Sequence, residues 1–371
     1  MDKASSSKVW FTDMRTSSGN SLQRKLEGLM KAAGISAIDF NNKFTAIKMH
    51  FGERGNLSFL RPNFAKTVAE TVKSLGGKPF LTDCSTLYTG SRKNALEHLD
   101  TAFENGFSTL STGCNIIIAD GIKGTDETIV PIDGEYVKEA KIGTAIMDAD
   151  IFISLTHFKG HECTGFGGAL KNIGMGCGSR AGKMEQHSSG KPSVYPEICA
   201  GCRMCIKYCA HDAITIINKK ASINHLKCAG CGRCVSVCPA GAAQPDWSSS
   251  NYELGCKIAE YTLAVLKGRE HFHISIAMDI SPNCDCCGEN DTPIVPDIGM
   301  FASFDPVALD MACADAVNKQ PIIAGSELGE RAHASDDHFA NLHPNTNWRA
   351  CLEHAEKIGV GTCSYELIEI K

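Results

Sequence analysis

The sequence predicts an α/β protein, a mostly parallel sheet covered by helices and interrupted by an inserted α+β block. Three observations predict it. β-rich runs alternate with amphipathic stretches from the start of the chain. The β runs, such as ADIFISLTHF at 149–158, are too continuously apolar for a sheet with one wet face. Eight of the 19 cysteines fall between Cys199 and Cys238, in a stretch bounded by the Ser-, Gly- and Pro-rich segments SSGKPSVYPE and QPDWSSS.

The elements follow in order. KVWFTDM reads as a strand, Ser21 to Ala33 as a helix, FTAIKMHFG as a strand and about Asn63 to Leu75 as a helix. KPFLTDC, a helix near Arg92 to Glu104, NIIIAD and the run at 149–158 continue the pattern. After Asp246 it resumes with a helix from about Tyr252 to Leu266, the strand HFHISIAMDIS, a helix near Pro306 to Val317, and a last helix before YELIEI. The host domain therefore comprises residues 1–190 and 248–371, with 191–247 inserted where two surface ends of the host lie close together.

Composition narrows the function. With 371 residues, 43% hydrophobic and 21% charged, the chain is an ordinary globular protein. A net charge of -5 from 37 basic and 42 acidic residues leaves no electrostatic footprint for nucleic acid or an anionic membrane, so neither is an expected partner. The N-terminus lacks the apolar core of a secretory signal and no run approaches eighteen apolar residues, which predicts a cytoplasmic protein. In that compartment so many cysteines imply thiolates that bind metal or react, rather than disulfides.

Cys199, Cys202, Cys205 and Cys209 follow a C-x2-C-x2-C-x3-C spacing, and Cys228, Cys231, Cys234 and Cys238 repeat it 29 positions later. Zinc and a disulfide knot are the simpler readings of a lone C-x2-C pair; two complete four-cysteine runs favour cubane clusters. The block resembles two-cluster bacterial ferredoxins. Pro239 after Cys238 fits that resemblance, and Ala210 after Cys209 departs from it. The resemblance implies two [4Fe-4S] clusters, one on Cys199, Cys202, Cys205 and Cys238, the other on Cys228, Cys231, Cys234 and Cys209, because the fourth cysteine of each run serves the other cluster. It also implies low-potential electron transfer to a redox partner protein or to a site within the chain, under anaerobic conditions.

In the host, the densest chemistry lies from Thr156 to His187, predicted as a glycine-rich loop at the C-terminal end of a buried strand, where α/β folds place their sites. His157, Lys159, His161, Glu162, Cys163, Lys171, Cys177, Lys183 and His187 are its polar residues, and Gly165, Gly167 and Gly168 its candidate ligand-approaching glycines. The segment is neither a Walker loop nor GxGxxG, so it carries no nucleotide prediction. Cys284, Cys286 and Cys287 in NCDCCG form a candidate metal, third-cluster or redox site, or else reduced thiols in a buried turn. Cys163 or Cys177 is a candidate distant fourth ligand. His50, Glu53, Asp83 and Cys84 end predicted strands and either face the same cleft or serve packing; Asp305 and Asp310 read as part of an N-capped helix.

The segments AIKMHFGERGN, FLTDCSTLYTGSRKNALEH, HFKGHECTGFGGALKNIGMGCGSRAGK, DISPNCDCCG and PDIGMFASFDPVALD resemble the family called domain of unknown function 362, in which a ferredoxin insertion is common and no general reaction is assigned. A fainter resemblance is to the pocket loop of lactate racemases. It implies His161 as an acid/base, Lys171 as a cofactor-linking amine and His187 as a metal ligand. The expected function is electron transfer through two clusters to a partner or to the α/β domain. The rival expectations are a reductase or metal-cofactor enzyme, acting on a small molecule at His157 to His187 with a further metal or organic cofactor, and a redox sensor or docking protein without turnover.

Overall fold

The structure is a computed structural model that describes residues 6–88, 90–187, 190–245, 249–331 and 334–370. Its centre is an eight-stranded sheet. In chain order the strands are β1 (Ser7–Asp13), β2 (Phe44–Lys48), β3 (Lys78–Asp83), β4 (Asn115–Ile118), β5 (Ile151–His157), β6 (Glu270–Ala277), β7 (Gly299–Ser303) and β8 (Tyr365–Glu369). They lie in the order β8-β1-β7-β6-β5-β2-β3-β4. Only β7 runs antiparallel to its neighbours β1 and β6; every other pair in this sheet is parallel.

The continuous apolar runs are explained by burial on both faces. Every residue of β5 is buried. Ile151, Ile153 and Leu155 enter one core layer with Leu26, Leu29, Phe64 and Val68, while Phe152 points the other way into a layer with Ile173 and Tyr261. The first layer is roofed by α1 (Leu22–Ala32), capped by Ser21, and α2 (Pro62–Ser74), which starts on proline. Next in the chain comes α3 (Ala95–Glu104), capped by Asn94; Arg92 lies ahead of it, outside the helix.

The segment from Thr156 to His187 departs from the expected loop. It forms a small hairpin, Lys159–His161 against Gly165–Gly167, followed by α4 (Ala169–Cys177) and α5 (Arg180–His187). Its glycines serve close packing, apart from Gly165, whose φ of 76° lies in the left-handed region of the hairpin turn. A side chain on Gly174 would run into the carbonyl of Ile258, on α6 (Asn251–Leu266), the helix against which α4 packs. A side chain on Gly168 would occupy the space of the Asp310 carboxylate. Asp310 sits on α7 (Pro306–Asn318) and accepts hydrogen bonds from Ala169 N at 2.6 Å and Leu170 N at 2.9 Å, so it caps α4 from another element, whereas Asp305 caps its own helix.

The cysteine-rich block starts and ends on one antiparallel strand pair, Pro192–Val194 with Ala243–Pro245, so the chain enters and leaves it at one place. Inside, Ile214–Ile217 pairs with Lys220–Ile223. The 29-residue repeat recurs in the backbone. Gly201 and Arg203 have φ of 65° and 65°, Gly230 and Gly232 have 73° and 63°, and each pair precedes a short helix, Met204–Lys207 or Arg233–Val237.

Candidate functional site

The eight cysteines of the block surround two separate cavities. Cys199, Cys202, Cys205 and Cys238 line one; Cys209, Cys228, Cys231 and Cys234 line the other. Each cavity thus takes three cysteines from one run and the last from the other. Main-chain amides point at the sulfurs: Ala213 N donates to Cys209 Sγ at 3.4 Å and, 29 residues later, Ala242 N to Cys238 Sγ at 3.2 Å. Ala221 N and Gly230 N do the same for Cys199 and Cys228, both at 3.4 Å. The amides of Ala221 and then Gly201 hold the Cys199 thiol below its ordinary value. Burial first, then Cys231 and Cys228 beside it, pushes Cys234 up to about 12. Four thiols converging without a cation repel one another as they ionise, so this donor set fits a four-thiolate metal centre.

A larger cleft opens at the carboxyl edge of the parallel strands, where α/β folds place their ligand sites. Lys48 and Asp83, the last residues of β2 and β3, form its floor as a buried ion pair, Nζ to Oδ1 3.0 Å. Asp83 also lies 3.6 Å from both Arg92 Nη1 and His98 Nε2. Burial opposes ionisation of Asp83, but Lys48 foremost, with His98 and His50, holds the carboxyl well below its usual range. Lys48 Nζ donates in addition to Asn172 Oδ1 at 2.9 Å, and Gly176 lacks the side chain that would displace this ammonium. Arg92 is held by Glu53 Oε2 at 3.1 Å and by the Tyr88 hydroxyl.

His161, Lys171 and His187 meet in this cleft, together with His50, Cys84, Lys159, Glu162, Cys163 and Lys183. Glu53, His157 and Cys177 do not line it, nor do Gly165, Gly167 and Gly168. Gly165 packs against Trp348, Gly167 against the stems of Lys159 and Lys171, and Gly168 against Asp310. Cys177 lies in the core layer with Ile173, its carbonyl 3.4 Å from Cys84 Sγ, away from the NCDCCG turn.

That turn carries the buried thiol of Cys284. Lys171 Nζ donates to Cys284 Sγ at 2.8 Å. The Cys286 thiol first, then Lys171 and the His161 ring against the cost of burial, hold Cys284 well below the ordinary thiol value. His161 Nδ1 accepts from Cys163 N and Thr164 N, both at 3.2 Å, which leaves Nε2 to carry its proton. Burial works against the charge on Lys171, yet Cys284 keeps it an ammonium rather than a free amine. Beneath the turn, Asp285 accepts from His157 Nδ1 at 2.9 Å and lies 3.5 Å from Lys159 Nζ, while His157 Nε2 faces Met278 O at 2.8 Å. His157 is therefore a strut that fixes Cys284 and Cys286 from below.

Sequence reasoning did not single out Lys48, Arg92, Asn172 or Asp285. Lys48 left one signal, a lysine inside the apolar run FTAIKMHFG, which in a doubly covered sheet needs a buried anion. Of the fixed charges lining the cleft, Lys48, Arg92, Lys159, Lys171 and Lys183 outnumber Asp83 and Glu162.

Several buried histidines make the fold acid-labile; His50 and His273 are held well below the ordinary value by burial first, and His98 and His187 join them. Burial first, then Arg92 and Lys183 outweighing part of the pull of Asp83, brings His98 down to about 3; neither ring nitrogen has a hydrogen-bond partner among the described residues. Burial, then His161 and Lys171, brings His187 down to about 3 as well. An unfolded histidine takes a proton near pH ~6.5 whereas these do not until far lower. Their contribution to stability is therefore complete above about pH 6.5 and is lost as pH falls from there toward the folded value. At pH ~5 each ring should cost about 2 kcal/mol. Thermal unfolding between pH 7 and 5 should show this loss, and His98→Met should flatten the slope by about a quarter, since His50 and His273 are held low in the same way; an unchanged slope would count against the assignment.

The block and the cleft are one side-chain layer apart. Leu87, on the cleft wall, packs with Met184 of α5 and with Val235 and Ala243 of the block. The stem of Arg180 lies against Gly232, which lines the Cys209 cavity, and its guanidinium donates to Thr86 O at 3.3 Å on the cleft side.

The fold and these sites define an α/β protein furnished with sulfur donor sets of the kind that take metal cofactors. The chain belongs to the family described as Domain of unknown function (DUF362), which matches residues 45–315. No curated protein matches it. Among solved structures, the lactate racemase apoprotein from Thermoanaerobacterium thermosaccharolyticum is 13% identical with a TM-score of 0.37, covering 74% of this chain and 51% of that one. A protein from Thermotoga maritima is 13% identical with a TM-score of 0.40, covering 80% of this chain and 58% of that one. The chain thus spans little more than half the length of either, and neither likeness bears on its chemistry. Among the described residues, no helix is long and apolar enough to cross a membrane.

Proposed function

We propose that the chain is an iron-sulfur oxidoreductase whose inserted block exchanges electrons with a partner protein and with a small anionic molecule in the cleft of the α/β domain. The observation that carries this reading is the juxtaposition of the Cys209, Cys228, Cys231 and Cys234 cavity with the cleft wall, across Arg180, Met184 and Leu87. Two [4Fe-4S] clusters on the two cysteine sets would supply one-electron transfer. The protein's own groups do the rest. The surplus of lysine and arginine on the lining receives an anion, and burial of Lys48 and Arg92 keeps those charges strong by excluding water. His161, whose Nδ1 accepts two main-chain amides, presents Nε2–H in the cleft, where a reduced substrate would need a proton.

Anaerobic purification should give about eight iron and about eight acid-labile sulfide per chain, with a spin signal on reduction by dithionite. Zinc in place of iron, with no sulfide, would sink the proposal.

A further inference from the structure

We propose that Glu162, Cys286 and Cys287 form a third metal site, which holds a single thiolate-preferring divalent ion, zinc or ferrous iron, at the rim of the cleft. A carboxylate oxygen of Glu162 and the two sulfurs lie within 4.8 Å of one another. Ligands around a tetrahedral ion with a metal-sulfur bond of about 2.3 Å stand roughly 3.8 Å apart, so a small rotamer change closes the set.

The ligands come from two anchored backbone segments. Glu162 follows His161 at the tip of the hairpin Lys159–His161 and Gly165–Gly167. Cys286 and Cys287 sit in a turn pinned below by Asp285 on His157, closed by Cys287 N on Cys284 O at 2.9 Å, and tied by Asn56 Nδ2 to Cys287 O at 3.0 Å. Anchoring of this kind places donors before the ion arrives. Cys284 is not the fourth ligand. Its sulfur already faces the Lys171 ammonium at 2.8 Å, a position a cation would contest. Glu162 and Cys286 both line the cleft, so the remaining coordination position opens toward it. Three protein ligands with one open position is the arrangement of an ion that polarises a substrate oxygen, not of a closed structural site.

The site stands independently of the iron-sulfur reading, and counting separates the two. In the anaerobically purified full chain, total metal should exceed acid-labile sulfide by about one equivalent, as zinc or as iron. Cys286→Ser should cut that excess at least fivefold, and Glu162→Gln, at an exposed position that folding does not depend on, should lower it severalfold after dialysis against a chelator, with sulfide unchanged in both. No excess in the parent protein, or an excess that neither variant moves, overturns the proposal. So does a rise of iron and sulfide together to about twelve, which would make the turn a third cluster. Loss of sulfide with the single excess ion retained would instead sink the iron-sulfur reading alone.

Discussion

Replacing Cys209 by serine is expected to lower iron from about eight to about four per chain and to empty the cavity lined by Cys228, Cys231 and Cys234, which belong to the other run. The sharper form of the experiment is a pair of double variants. Cys209→Ser combined with Cys228→Ser removes two ligands of one set and should leave iron at about four; Cys209→Ser combined with Cys202→Ser strikes both sets and should leave almost none. The reverse order of the two iron contents would show that each run serves its own cluster. A stability effect should accompany the metal loss. The block's own apolar core is small, built around Ile214, Ala221 and Ala242 with the cysteines themselves packed on it. Units of that size depend on metal for their fold. Limited proteolysis should therefore cut the Cys209→Ser protein within the block while sparing the host domain.

How far the sequence discloses this protein depends on whether the information is local. The parallel strands were legible because burial on both faces writes a continuous apolar run into the chain, as at Ile151 to His157. The cysteine sets were legible because their C-x2-C-x2-C-x3-C spacing is short and recurs 29 positions later. Strand β7 was not, since GMFAS is only five residues long and wholly buried, without the alternation of a half-exposed strand. Helices α4 and α5 were hidden by their glycines, which propensity counts against a helix but which here let backbone and side chains of other elements approach. The N-terminal cap of α4, Asp310, comes from about 140 residues away and leaves no local mark. The same holds in the cleft. His161, Lys171 and His187 share one segment and could be grouped by eye, whereas Lys48, Asp83, Arg92 and Asn172 meet only through the fold.

Asp83→Asn should be the most damaging single substitution in the cleft floor. In the parent protein one carboxylate, 4% exposed, neutralises Lys48 and Arg92, each 1% exposed. The amide leaves two buried cations short of an anion, although Glu53 still holds one edge of Arg92. Breaking a buried pair in this way costs about 3–5 kcal/mol, a large part of the whole stability of a typical domain. Urea unfolding should show a midpoint shift of that size with an unchanged slope. Lys48→Met alone should cost nearly as much, but Lys48→Met with Asp83→Leu less than the sum, because the charges disappear together; full additivity would show that the pair is not coupled. The contribution also has a defined pH window. Since Lys48 foremost holds the Asp83 carboxyl below its usual range, the pair is intact above the ordinary carboxylate value and is lost as pH falls beneath it, a component the Asn variant should lack. One further consequence links stability to the binding of anions. The variant has a more positive cleft, so millimolar inorganic phosphate should raise its unfolding temperature by more than it raises that of the parent. Equal shifts would mean that the lysines lining the cleft are held for packing and not for an anion.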